Sequence, residues 1–235
     1  MNPNVTRTLR PILALVAAIG LSACASNVPD SLEIDFDATS RAAPVGTAVG
    51  NAIDANPRAG DVAVLSDVNV IAVNVNVPAT LSVSEANRYY PGGDIVWRED
   101  PMGNRHEQVQ TIVKAALEKG VAGLSGSRDV ELDVVVSRFH ALTEKARYTV
   151  GGVHAIQFTL QVRDAETGVI LSGPKKIVAD FDALGGRAAI QAEANGNTQK
   201  VRITNHLAHV ILQELTQVNG FTAYDTGLMG AINRL

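Results

Sequence analysis

The sequence predicts an α+β fold: a two-layer sandwich whose mainly antiparallel sheet carries two amphipathic helices on one face. Three observations point there. Apolar residues alternate in Val73, Val75 and Val77, in Val130, Leu132, Val134 and Val136, and in Ile156, Phe158, Leu160 and Val162. That spacing gathers side chains on one side of a strand. Two longer stretches, Glu107 to Lys119 and Thr198 to Gln217, place their apolar residues at helical spacing, so each presents one apolar stripe. The turn Asp164-Ala165-Glu166-Thr167-Gly168 joins two strand-like runs into a hairpin.

Asp67 to Val77 reads as the first strand, its valines alternating with Asn74 and Asn76. Pro78, which has no amide hydrogen to give a ladder, ends it or confines it to an edge. Tyr89-Tyr90-Pro91-Gly92-Gly93 is a turn cluster whose tyrosines are candidates to line a groove, and Asp94 to Trp97 fits a short strand or a structured loop. The first helix carries Val109, Ile112, Val113, Ala116 and Leu117 on one face, with Gly120 expected at its C-cap. Strands follow over Val130 to Val136 and His154 to Val162, the hairpin returns through Val169 to Leu171, and Lys175 to Phe181 extends the meander. Gly185 to Asn197 reads as a break. The second helix then starts from Asn197 or Thr198 as N-cap and shows Val201, Ala208, Ile211 and Leu215, widened by Ile203, Leu207 and Val210. From Val218 on, Phe221, Tyr224, Leu228, Met229 and Ile232 make a docked short helix or a partner segment.

The first residues carry a different kind of signal. Arg7 and Arg10 precede a mostly apolar run from Pro11 to Leu21, and Leu21-Ser22-Ala23-Cys24 follows, which is the order of a secretory leader. The apolar run is about half of the roughly twenty residues that a membrane span needs. A plain secretory leader would leave Cys24, the sole cysteine, as an unpaired thiol in an oxidising compartment. The tetrapeptide resembles a bacterial lipobox. That resemblance implies that residues 1–23 are a lipoprotein signal peptide and that Cys24 is lipidated at sulfur, becomes the first residue of the mature chain and is acylated, with palmitate-type chains, on its new amino group. Two or more acyl chains hold a protein stably at a bilayer without spanning it. In lipoproteins of this kind an aspartate after the cysteine favours the inner membrane; Ala25 in that place implies a periplasm-facing position on the outer membrane.

From Ala25 to about Asp61 the composition is Ala, Ser, Asp, Asn, Pro and Gly, which reads as a tether or arm with Ser31 to Phe36 as a short strand. The expected layout is signal peptide 1–23, arm 24–61, α+β domain 62–217 and C-terminal tail 218–235. Removal of residues 1–23 takes away two arginines and no acids, so the formal charge moves from −4 to −6. Such a balance favours neither nucleic acid nor polybasic attraction to anionic lipid.

Candidate chemistry is sparse. No Gly-x-Ser-x-Gly occurs and no Gly-rich phosphate loop opens a helix, so no catalytic residue, metal or cofactor is assigned. His206 and His209 lie three apart on the second helix, a spacing that suits a shared metal or, as the favoured alternative, two polar residues beside an apolar stripe. His106, His140 and His154 are scattered. The densest group of specific side chains is Trp97, Arg98, Glu99 and Asp100 followed by Arg105. Trp and Arg are enriched at interface hot spots, which makes this group a candidate recognition surface. The alternative is a salt-bridged turn in which Asp100 caps the following structure and Trp97 anchors it to the core.

The segments Asp94 to Pro101, Val130 to Phe139 and Val162 to Leu171, together with the lipobox and the Asn/Val strand, resemble a family of uncharacterised alphaproteobacterial lipoproteins with a domain of unknown function. They are more distantly similar to envelope lipoproteins of unknown function and to auxiliary lipoproteins of transport systems. The resemblance spans most of residues 65–217, and its motifs are structural. The anchor and the missing catalytic motifs leave a non-catalytic, membrane-anchored envelope component with a protein partner in an assembly or auxiliary role, a lipoprotein that binds lipid or a small hydrophobic ligand for a transport system, or, third, an enzyme such as a hydrolase built from paired Asp and Glu carboxylates. A deep apolar pocket beneath the long helix would favour the second; a filled core with an exposed strip or strand edge would favour the first.

Overall fold

The structure is a computed structural model that describes Leu65 and residues 67–227. The expected signal peptide with Cys24, the arm with Ser31 to Phe36, and Leu228, Met229 and Ile232 lie outside the described residues. The elements are β1 (Val68–Asn76), β2 (Ile95–Val96), α1 (Arg105–Val121), β3 (Arg128–His140), α2 (Glu144–Arg147), β4 (Gly152–Asp164), β5 (Ile170–Val178), β6 (Phe181–Ala183), α3 (Gly186–Ala194) and α4 (Gln199–Thr216). Six strands form the sheet in the order β1-β3-β4-β5, with β2 paired to β3 and β6 to β4. No helix among the described residues is long and apolar enough to cross a membrane.

The mainly antiparallel α+β sheet is present, with β3, β4, β5 and β6 paired antiparallel. β1 and β2 instead run parallel to β3. A parallel neighbour needs a crossover connection of a dozen or more residues, and the chain supplies it through α1. Alternation along a strand reports which face is buried and is silent about direction, so the two parallel pairs follow from the connection alone.

The buried face is the one the alternation picks out. Val73, Val75, Val130, Leu132, Val134, Val136, Ile156, Phe158 and Leu160 are buried together with Val109, Ile112, Val113 and Leu117 of α1 and Ile203, Leu207, Ile211 and Leu215 of α4. Val201, expected in the α4 stripe, is exposed, because it lies off the line that Ile203, Leu207, Ile211 and Leu215 make along the helix.

Several expected boundaries shift, each for a local reason. α1 does not end at Gly120: it runs to Val121 with Ala122 as C-cap. A Cβ at Gly120 would collide with the Ala208 backbone and with Ile211 of α4, so this glycine serves a close helix crossing rather than a left-handed cap. Thr198, one of the two expected caps, does start α4, its side chain accepting from the Val201 amide. The expected break at 185–197 contains α3, which buries little beyond Ala189 and has no side-chain cap, leaving no apolar stripe to read. The 164–168 hairpin turn closes as expected: Asp164 accepts from the Thr167 amide and hydroxyl at 2.8 and 2.7 Å, and Gly168 takes φ 72°.

One irregularity positions the site. β3 and β4 slip register between Val136 and Arg138, so that Val136 faces Phe158 but Arg138 faces Gln157 and Phe139 faces Ile156. A bulge inserts one residue and inverts the alternation beyond it. Phe139 therefore enters the core, where it meets Trp97 edge to face at 5.8 Å. Arg138 and His140 lie instead on the face opposite Phe139, where Arg138 is half-buried and His140 is covered.

Candidate functional site

The Trp97–Arg105 group is folded against itself and its neighbours. Trp97 is wholly buried and its indole N–H donates to Asp100 at 2.8 Å. Arg98 pairs with Glu144 of α2 at 2.6 Å and donates to the Glu85 carbonyl. Glu99 pairs with Arg147 at 2.9 Å and accepts from the Lys200 amide at the start of α4, where the helix dipole favours an anion. Asp100 accepts from Lys200 Nζ at 2.9 Å. Burial alone would raise the Asp100 carboxyl, but the bonds from Lys200 and Trp97 outweigh it and hold the group below its ordinary range. Arg105, only 4% exposed, pairs with Glu85 at 2.6 Å and donates to the carbonyls of Asp100 and Pro101 and to Gln108.

Every charge of the turn thus has a partner inside the fold, and two of the expectations for it are corrected. Trp97 and Arg105 are too deeply buried to offer a recognition surface, and Arg98, Glu99 and Asp100 are half-buried in ion pairs. The α1 cap is Asn104, which accepts from the amides of His106 and Glu107, and not Asp100, which is held by Trp97 and Lys200.

A cavity of about 410 Å³ opens a short way along the chain from that turn, between the β1–β2 loop and the connection from β3 to β4. Tyr89, Tyr90 and Pro91 form one wall, so the tyrosines do line a groove. Leu142, Val150 and Val153 form the apolar opposite side, and Arg138 and His140 belong to the sheet face that the β3 bulge turned outward. The loop is tied down at several points. Thr143 donates to the Arg88 carbonyl at 2.7 Å, the Lys145 amide donates to Asn87 at 2.8 Å, and His140 Nε2 donates to the Gly93 carbonyl at 2.8 Å. Lys145 also lies over the Tyr89 ring at 4.7 Å. A binding wall on a loop fixed to a rigid sheet end is where recognition residues concentrate.

Two groups in the cavity have an unusual electrostatic state. Burial, with the nearby charge of Arg138, pushes the His140 imidazole down to about 4, so it is neutral at physiological pH. Arg138 is half-buried, its Nε is sealed from solvent without a hydrogen-bond partner, and among the described residues its guanidinium makes no ion pair. Neither residue was singled out by the spacing of the sequence. The available signal was Phe139 itself, an apolar residue one step out of phase with Val130, Leu132, Val134 and Val136.

Of the two α4 histidines, His206 serves packing. His206 Nε2 donates to the Ala179 carbonyl at 3.1 Å while its ring stacks on Phe181 at 4.1 Å and meets Phe221 and Tyr224 edge-on or tilted. His209 is exposed. His154, fully buried, packs against Phe181 at 4.9 Å. This column of rings docks the start of the tail, and the Phe221 amide donates to Glu214 at 2.7 Å. Among the described residues no group of three or more His, Cys, Asp or Glu side chains is placed to hold a metal ion.

The model of one family, described as a family of unknown function (DUF6778), matches residues 68–231. No curated protein matches the chain. Among solved structures it is similar to a crystal structure described as "a putative lipoprotein" from Caulobacter crescentus CB15, with 16% identity and a TM-score of 0.33 over 65% of this chain and 89% of that one. A second crystal structure, of an uncharacterized protein, aligns with 16% identity and a TM-score of 0.31 over 66% of this chain and 90% of the other.

Proposed function

Because the chain belongs to DUF6778, a family of unknown function, we propose from its residues that it is an envelope lipoprotein anchored through acyl chains on Cys24, facing the periplasm on the outer rather than the inner membrane. It acts without catalysis, by binding another envelope protein in an assembly or auxiliary role. The lipobox-like Leu21-Ser22-Ala23-Cys24 and Ala25 support the anchor and its side, and residues 24–61 serve as the arm that holds the domain off the bilayer. The likeness of Asp94 to Pro101 and Val130 to Phe139 to alphaproteobacterial lipoproteins points the same way.

The observation that carries the binding reading is where the free space lies. Beneath α4, among the described residues, the core is filled by side chains such as Ile203, Leu207 and Ile211, all fully buried. The cavity sits instead between two loops on the other face of the sheet, with Tyr89 and Tyr90 41% and 60% exposed at its rim. A second reading, a lipoprotein that carries a small hydrophobic ligand for a transport system, draws on the apolar side formed by Leu142, Val150 and Val153.

A photo-crosslinking residue placed at Tyr90 in intact cells tests the reading against the same residue placed at Glu118 on the exposed face of α1. The expected result is one protein adduct from position 90 and none from position 118. Adducts to lipid alone would favour the second reading, and equal labelling from both positions would reject the cavity as the binding surface. For the anchor, Cys24→Ser is expected to move the protein from the membrane fraction to the soluble periplasm or to stall its processing; unchanged membrane association would reject lipidation at that residue.

A further inference from the structure

Resting on the reading of the cavity as the binding site, we infer that it takes an apolar carboxylate, with the carboxylate on the Arg138 guanidinium and the apolar body between Tyr90 and Pro91 on one side and Leu142 and Val153 on the other. A free organic acid and the C-terminal end of a polypeptide share this chemistry.

The cavity holds a half-buried cation that nothing among the described residues pairs. Arg98, Arg105, Arg128, Arg147 and Arg163 each hold a carboxylate within 3.2 Å. Arg138, half-buried in the lining of the cavity, holds none among the described residues. The planar fork of a guanidinium matches a carboxylate with two parallel hydrogen bonds. The polar groups nearby bond elsewhere: His140 donates to Gly93, Thr143 donates to Arg88, and Asp94, the carboxylate that feels the charge of Arg138, accepts at Oδ2 from the Ser82 amide and hydroxyl at 2.8 and 2.7 Å, and among the described residues none of them bonds the guanidinium. The acceptor Arg138 lacks is therefore left for a ligand.

The walls decide what the rest of that ligand is. Tyrosine, proline, leucine and valine offer dispersion contacts and few donors, which suits a hydrocarbon, aromatic or short peptide body. A dianionic phosphate would call for a second cation within the cavity; Lys145 is exposed, lies over the Tyr89 ring and is not part of the lining. A single negative charge is the match.

The test titrates the purified full-length chain, by calorimetry, with two pairs of probes that differ only in charge: octanoate against octanol, and the tetrapeptide Gly-Val-Leu-Phe with a free C-terminus against its C-terminal amide. The acid of at least one pair is expected to bind saturably and about tenfold or more tighter than its neutral counterpart. The pair with the larger difference identifies the source. Arg138→Gln is expected to remove that difference, Arg138→Lys to leave part of it, and Tyr90→Ala to weaken acid and neutral probe alike, with circular dichroism confirming that each variant is folded. Equal binding of acid and neutral probe, a charge preference that survives Arg138→Gln, or no saturable binding of any probe would each overturn the inference. If a protein is nevertheless captured from position 90, the carboxylate is wrong and the binding surface stands; if neither result is obtained, both fall.

Discussion

The turn at Trp97–Arg105 and the cavity around Arg138 both contain arginine, a carboxylate nearby and aromatic residues, and they differ in one respect. In the turn, Arg105 is buried and holds Glu85, two carbonyls and Gln108. In the cavity, Arg138 is half-buried and holds nothing among the described residues. The first arrangement spends its polar groups on joining the β1–β2 loop, α2 and α4; the second keeps a donor fork unspent beside apolar walls. A dense cluster of interface-type residues in a sequence is thus a poor guide to a site when its members satisfy one another. An unsatisfied group in a cavity is the better one.

The largest test of the contrast is acid. Burial holds the imidazoles of His140 and His206 down to about 4 and that of His154 down to about 3. The unfolded chain, with ordinary values near 6.5, takes up these protons first. The stability they contribute is therefore full above pH 6.5 and is lost as pH falls towards 4. The slope approaches about 1.4 kcal/mol per pH unit for each histidine, giving a loss of several kcal/mol in all. Urea midpoints at pH 7 and pH 4.5 should show it. An unchanged midpoint would mean that the histidines titrate normally.

Next comes Trp97→Ala, which empties a fully buried site against Phe139 and takes one of its donors from Asp100, and should cost about 3–5 kcal/mol in urea unfolding. Arg105→Ala should cost about 2–3 kcal/mol, since it removes the closer cation of Glu85 and the donor of the Asp100 carbonyl and empties a buried site. Arg138→Gln is the smallest: it removes a charge that no group in the fold pairs with, and the urea midpoint should move by no more than about 0.5 kcal/mol in free energy, or rise. A loss as large as that of Arg105→Ala would erase the distinction between the two regions.

Much of the sheet was legible in advance because apolar residues alternate along β3, β4 and the second half of β1, and the two long helices because their stripes are wide. What escaped depended on contacts far along the chain. Gly120 looks like a helix stop until α4 is laid across it. α3 has a single buried residue, so nothing in its spacing marks it. In the site, Tyr89, Tyr90 and Pro91 declared themselves as a turn, whereas Arg138 and His140 reach the cavity through the register slip after Val136, which is fixed by Phe139 choosing the core beside Trp97. A one-residue slip reverses every later side chain, and the sequence marks it only by one aromatic out of phase.

The most direct measurement follows the side-chain Nε–H signals of Arg138 and Arg105 together in one set of nitrogen-resolved NMR spectra of the full-length chain while the better-binding acid is added. A saturating shift of the Arg138 signal is expected as its guanidinium gains an acceptor, with the Arg105 signal, already bonded to Glu85, unmoved. A stationary Arg138 signal, or movement of Arg105 in its place, would contradict it.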